Sequence, residues 1–250
     1  AQVYAALCRQ LDKPLCIVTP GEAEATRFAA DLNTLGIPAA VFPARDYVLR
    51  PIEGTAREYE YRRLAVLGEL VGGRLRAVAV PAEALTQFTT PKEDFCANTR
   101  TLHAGDTLLR DDLLAALFGA GYTRRAQVDG PGQFSVRGDI VDIFAPDQKM
   151  PVRMEFWGDE IDTLHTFDLT TQRREDAIDK FYLSPAREVL FGKPADAAEQ
   201  LRAFLAKQRG KKKTVMADCM AADLDLLDGG AVPVNMDKYL SLIHISEPTR

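Results

Sequence analysis

Between Gly132 and Phe167 hydrophobic and polar residues alternate with a period of two, the pattern of short half-buried strands. Phe134 and Val136 alternate with Ser135 and Arg137, and Gly138 breaks the phase before a second run over 139–144. After a Pro146-Asp147 turn, Val152, Met154 and Phe156 alternate with Arg153, Glu155 and Trp157. Gly158-Asp159 then supplies a two-residue hairpin turn into 160–167. Because side chains alternate across a strand, Arg153, Glu155 and Trp157 share one face while Val152, Met154 and Phe156 fill the other.

The flanking chain has other periods. Residues 1–11 read as helix (Val3, Ala6, Leu7, Leu11), and 15–19 form an apolar run between Pro14 and Pro20-Gly21 that suits a buried parallel strand. A helix carrying Ala25, Phe28, Ala29, Leu32 and Leu35 on one face stops at Gly36, and 39–42 returns as a second strand. Thr55 and Glu58 have capping-box spacing ahead of a helix predicted to bury Tyr61, Leu64, Leu67 and Val71; 77–80 is the third strand. Asp111 or Asp112 opens a short helix (Leu113, Leu114, Leu117, Phe118) ended by Gly119 and Gly121. A helix followed by consecutive hairpins predicts an α+β domain with an antiparallel sheet. Beyond 186 the pattern is again helix then strand: 195–208 is amphipathic, and 214–219 reads as a strand.

Composition narrows the classes. With 250 residues and 46% hydrophobic content the chain can bury more than one core. No apolar run approaches the roughly 20 residues of a membrane span, and no secretory leader is visible. Cys8, Cys16, Cys96 and Cys219 lack metal-ligand spacing and are predicted to be core thiols of a cytoplasmic protein. The formal net charge of −5 argues against the chain gripping DNA by itself, because phosphate neutralisation needs a clustered basic face. Arg124-Arg125, Arg173-Arg174 and 207–213 are local basic clusters of the kind usual in solvated loops.

Catalytic motifs are missing from these 250 residues. There is no G-x-x-x-x-G-K-[ST] loop, and Pro194 disqualifies Gly192-Lys193. There is no nucleotide-binding G-x-G-x-x-G after a strand, and no nucleophile elbow. The acidic residues Asp139, Asp142, Asp159, Glu160 and Asp162 come from separate turns and strands, which disfavours a shared metal. Arg137, Arg153 and Trp157 have the composition of a binding hot spot. On composition alone they read equally as surface arginines paired with Glu155 beside a Trp that caps the sheet.

The same residues carry a resemblance. GQFSVRGDIVDIF, PVRMEFWGDEID and TFDLTTQR resemble the second domain of the UvrB-homology module that opens bacterial transcription-repair coupling factors. The likeness runs more thinly from residue 1 to about Phe191. UvrB excision helicases share RGDIVDIF and GDEID but turn differently after the last strand, so Thr171-Gln172-Arg173 favours the coupling factors. A nucleotide-dependent metabolic α/β protein would leave the four-strand motif without a purpose.

The resemblance implies an α/β plus α+β chain: a partial RecA-like parallel-sheet lobe with an inserted antiparallel-sheet domain, as in UvrB domains 1a, 2 and 1b. Expected boundaries are 1–98, 99–186 and 187–239. It implies a module that recruits the UvrA damage sensor through Arg137, Arg153 and Trp157, the third position carrying Phe or a similar aromatic in relatives. It also implies contacts with RNA polymerase and double-stranded DNA, and an ATP- and magnesium-dependent translocase motor, through other parts of the full-length protein. No catalysis and no cofactor are expected of this stretch. Residues 240–250, LSLIHISEPTR, resemble the translation of a transposon-end sequencing adaptor, the alternative being a short terminal strand, and are expected to pack against nothing.

Overall fold

A computed structural model describes residues 1–45, 57–190, 194–233 and 236–239. Thr55 of the anticipated capping box, Gly192-Lys193 and the adaptor-like 240–250 lie outside the described residues. The chain forms two compact units. The first takes in 1–45, 57–87 and 91–187; the second holds, of the described residues, 88–90 and those from 188 onward.

The first unit opens with α1 (Gln2–Gln10), β1 (Leu15–Thr19), α2 (Glu22–Thr34), β2 (Ala39–Val41), α3 (Glu58–Val71) and β3 (Ala77–Pro81). The strands form a parallel sheet in the order β1-β3-β2, with Ala77 in register with both Leu15 and Ala39. The central strand β3 is buried throughout, as its unbroken apolar sequence requires. Strand β1 departs from expectation. Only Ile17 and Thr19 are buried, while Cys16 and Val18 are exposed, because β1 is an edge strand with one face uncovered. Of the four thiols only Cys8 lies in the core.

Helix α3 also turns a different face inward. It buries Arg63, Leu64, Val66 and Gly68, and begins at Glu58 with Arg57 as N-cap and no side-chain capping bond. A fully buried arginine is tolerable only when its polar head is satisfied. Arg63 donates to the Pro43 carbonyl at 2.7 Å and stacks 4.0 Å over the Phe42 ring.

Short helices α4 (Ala82–Leu85) and α5 (Lys92–Ala97) lead to β4 (Arg100–His103), which pairs antiparallel with the later β11 (Lys180–Leu183). Helix α6 (Arg110–Gly119) starts one residue ahead of the expected acidic pair, leaving Asp111 and Asp112 in its first turn where the helix dipole favours them. It is followed by β5 (Thr123–Arg124), β6 (Gln133–Arg137), β7 (Ile140–Phe144), β8 (Val152–Trp157), β9 (Glu160–Phe167) and β10 (Arg174–Ala177). These six strands form one sheet in the order β10-β9-β8-β7-β6-β5, antiparallel except at the short β5–β6 pairing. Gly138 and Gly158 adopt φ of 61° and 63° at the two hairpin turns, a conformation that would strain other residues.

One face of this sheet carries the largest core of the molecule. Phe134, Val141, Ile143, Val152, Met154, Phe156, Ile161 and Leu164 pack there with Leu113 and Leu117 of α6 and with Phe181 and Leu183 of β11.

The second unit contains α7 (Pro194–Lys207), α8 (Gly210–Asp228) and a 3-10 turn over Met236–Tyr239. The strand expected over 214–219 is the interior of α8. Met220 and Leu227 repeat at helical spacing and pack with Leu201 and Leu205 of α7, and that burial outweighs the β-branched pair Thr214-Val215.

Candidate partner-docking face

The face opposite the core is built from the alternate residues of the same strands. Cross-strand pairing aligns Ser135, Asp142, Arg153 and His165 in one row and Arg137, Ile140, Glu155 and Thr163 in the next. Trp157, opposite Glu160, lies one row further on, where Phe156 N–H donates to the Asp139 carbonyl at 2.9 Å beside the Gly138-Asp139 turn.

Arg137, Arg153 and Trp157 therefore share a face, as the alternation predicts, but they do not form a uniform exposed rim. Trp157 is 82% exposed and Arg137 is half-exposed at its side chain, whereas Arg153 is 8% exposed. Arg153 is not a surface residue, because the face is covered locally. Phe167 lies under its guanidinium at 4.7 Å and packs with Val128, Phe144 and Leu169.

Every nitrogen of the Arg153 guanidinium has a partner. Nε and Nη2 donate to the two carboxylate oxygens of Asp142 at 2.7 and 2.9 Å, and Nη1 donates to the Gln172 carbonyl at 3.1 Å. The Asp142 hydrogen bonds raise the Arg153 pKa above its ordinary value, so this cation persists at any working pH. Asp142, 1% exposed, also accepts from Arg137 Nη2 at 2.6 Å. A single buried carboxylate thus holds two guanidiniums, one inside the fold and one at its surface.

The Thr171-Gln172-Arg173 turn has a structural part in this arrangement. Asp168 Oδ1 accepts from the Thr171 N–H at 2.7 Å and its hydroxyl at 2.9 Å, which lowers the Asp168 pKa. Gln172 then takes φ of 59°, the only non-glycine residue with positive φ among those described, and delivers its carbonyl to Arg153. Nearer the open end, Glu155 pairs with Arg174 and accepts from the Thr163 hydroxyl at 3.3 Å. Arg110 donates to the Gly138 carbonyl at 2.9 Å and pairs with Asp139 at 3.3 Å.

These pairings account for Asp139 and Asp142, and no group of three or more His, Cys, Asp or Glu side chains is placed to hold a metal among the described residues. The sequence left Asp142 as an acidic residue either solvated or paired with Arg137 and Arg153, and the second alternative holds; it did not place Gln172 or Arg174 at the site. A signal for Asp142 existed. A two-residue turn at Gly138-Asp139 places Arg137 opposite Ile140 and so puts Asp142 on the diagonal of Arg137.

A second buried carboxylate anchors the loop between β7 and β8. Asp147 accepts from the Ser184 hydroxyl at 2.6 Å and from Arg74 Nη2 at 3.0 Å, while the buried Tyr122 hydroxyl donates to the Ser184 carbonyl at 2.7 Å. Burial raises the Asp147 pKa, and the Ser184 and Arg74 contacts oppose that rise without cancelling it.

Residues 101–189 match the family model described as the UvrB interaction domain. Curated proteins similar to the chain are named transcription-repair-coupling factors. The one from Bacillus subtilis (strain 168) is 27% identical over 248 residues, covering 96% of this chain and 21% of that protein. The one from Myxococcus xanthus is 35% identical over 199 residues, 75% and 16% of the two chains. The one from Mycobacterium bovis is 34% identical over 240 residues, 92% and 19%. The chain spans about a fifth of the length of these relatives.

Proposed function

From the premise that this chain belongs with the transcription-repair-coupling factors, we propose that it is a recruiting module that captures the UvrA damage sensor in transcription-coupled excision repair. The observation that carries this reading is Trp157, an aromatic side chain left 82% exposed beside a half-exposed arginine, within the stretch that matches the interaction domain. A large ring in water is costly to a monomer and gains when a partner covers it. Aromatic and arginine side chains at the centre of an interface carry a disproportionate share of its energy. The complementary surface is acidic and partly apolar: charge sets the encounter rate, and the buried ring slows dissociation.

In this reading the three-stranded parallel sheet is part of a RecA-like lobe into which the interaction domain is inserted. The stretch performs no catalysis itself and works in the cytoplasm. The ATP- and magnesium-driven translocation of double-stranded DNA, and the contact with RNA polymerase, belong to other parts of the longer proteins. No helix among the described residues is long and apolar enough to cross a membrane. Titrating the chain with purified UvrA by calorimetry tests the reading. Saturable one-to-one binding per UvrA protomer is expected, and absence of heat and of co-elution at tens of micromolar would refute it.

A further inference from the structure

Three features of the polar face divide the labour among its charged residues. Asp142 is 1% exposed and cannot touch a partner through its side chain. Arg153 is 8% exposed, with Nε and Nη2 on Asp142, Nη1 on the Gln172 carbonyl and its plane against Phe167, so each of its nitrogens is already engaged inside the fold and little of the group reaches the surface. Arg137 differs. Its side chain is 49% exposed, it touches Asp142 through Nη2 alone, and Nε and Nη1 make no hydrogen bond among the described residues.

We propose that Asp142 is the positioning residue of the docking face: it aims the guanidinium of Arg137 at a carboxylate of the partner, while Arg153 acts only by holding Asp142. This rests on the docking reading given above. The physical argument is one of preorganisation. An exposed arginine loses rotamer freedom when a partner immobilises it, and a fixed anchor on one nitrogen removes part of that cost before binding. The anchor must not cancel the charge it presents. Arg153 meets Asp142 in a bidentate pair, the strongest geometry available to the two groups. Its cation therefore balances the Asp142 charge, and the unit of positive charge left over among the three groups sits on Arg137, at the surface.

Trp157 lies two strands across and one row along from Arg137. Strand spacing puts them ~12 Å apart. The partner feature that fits is an Asp or Glu side chain for Arg137 with an apolar side chain about that far away for the indole.

A double-mutant cycle tests this on the full chain, with affinity for purified UvrA read at fixed ionic strength. Asp142→Asn keeps the shape and removes the charge. It is expected to weaken binding about 10-fold in the parent and less than about 2-fold in an Arg137→Ala background, because it acts through Arg137. Equal losses in both backgrounds would overturn the proposal.

Since Asp142→Asn also loosens the buried pair, Arg137→Lys provides a second arm that leaves the interior intact. Lysine keeps the charge but lacks the fork that lets one nitrogen be anchored while others point outward. It is expected to lose nearly as much affinity as Arg137→Ala; binding within about 2-fold of the parent would show that charge alone suffices and would sink the positioning role. If Arg137→Ala and Trp157→Ala both bind like the parent, the docking reading itself fails and this inference fails with it. That result is distinct from an additive cycle, in which the face binds but Asp142 does not aim it.

Discussion

The two faces of the six-stranded sheet are drawn from alternate residues of the same strands, yet they are held by different forces. On one face Phe134, Met154, Phe156 and Ile161 join Leu113 and Leu117 of α6 in one apolar core. On the other, charge decides the arrangement. Asp142 and Arg153 are buried, with the Arg153 guanidinium over Phe167 of a small apolar cluster, while Arg137 and Trp157 stay exposed. The difference shows that the alternation of a strand predicts which side a residue takes but not how deep it lies. Arg153 and Trp157 are four residues apart on one strand face, and their exposures are 8% and 82%.

The largest expected effect is on the core face. Phe156→Ala should lower the unfolding free energy by about 3–5 kcal/mol, the usual cost of emptying a fully packed aromatic site. Chemical denaturation would reveal it, and a loss under 1 kcal/mol would show that this face is not the main core. The next effect sharpens the contrast within the polar face. Arg153→Ala leaves the buried Asp142 with only a half-exposed partner and should cost about 3 kcal/mol. Its loss of partner binding should therefore accompany a lowered melting temperature; an unchanged melting curve would return Arg153 to the surface.

Asp147 supplies a smaller, pH-dependent effect away from either face. Its folded-state pKa is raised by burial, so the folded protein holds that proton more tightly than the unfolded chain. The associated stabilisation is full below the ordinary carboxylate value of about 4 and is lost as pH rises through the raised value. Asp147→Asn, which is never charged, should flatten this part of the stability profile above pH 4. Parallel profiles for parent and variant would contradict the assignment. The smallest expected effect is that of Trp157→Ala on stability. A side chain 82% exposed should change it by less than about 0.5 kcal/mol. A larger loss would mean that the ring packs against the fold rather than awaiting a partner.

Much of this architecture was legible in the sequence, for reasons that also mark where legibility stopped. The four-strand run was plain because glycine at 138 and 158 fixes two-residue turns and the apolar set keeps its phase through Val152, Met154 and Phe156. Local periodicity likewise marked α1, α2 and the three parallel strands. The burial of Arg153 was hidden, because it depends on pairing across the long connection between β7 and β8 and on a turn near Gln172 that no period encodes. Arg63 inside α3 was hidden by the same logic: its partner, the Pro43 carbonyl, is 20 residues away in sequence. Helix α8 was misread locally, where Thr214-Val215 suggested a strand and the packing of Met220 and Leu227 on α7 decided for a helix.

The open end of the polar face is where partner recruitment is decided. Affinity for purified UvrA should be measured for the parent, Trp157→Ala and Arg137→Ala under one salt condition, with melting curves alongside. Loss of a central aromatic or arginine contact typically costs about 2 kcal/mol or more, roughly a thirtyfold weaker complex. Both variants are therefore predicted to bind at least about thirtyfold more weakly while melting like the parent, and parental affinity in both would contradict the claim that this face recruits the partner.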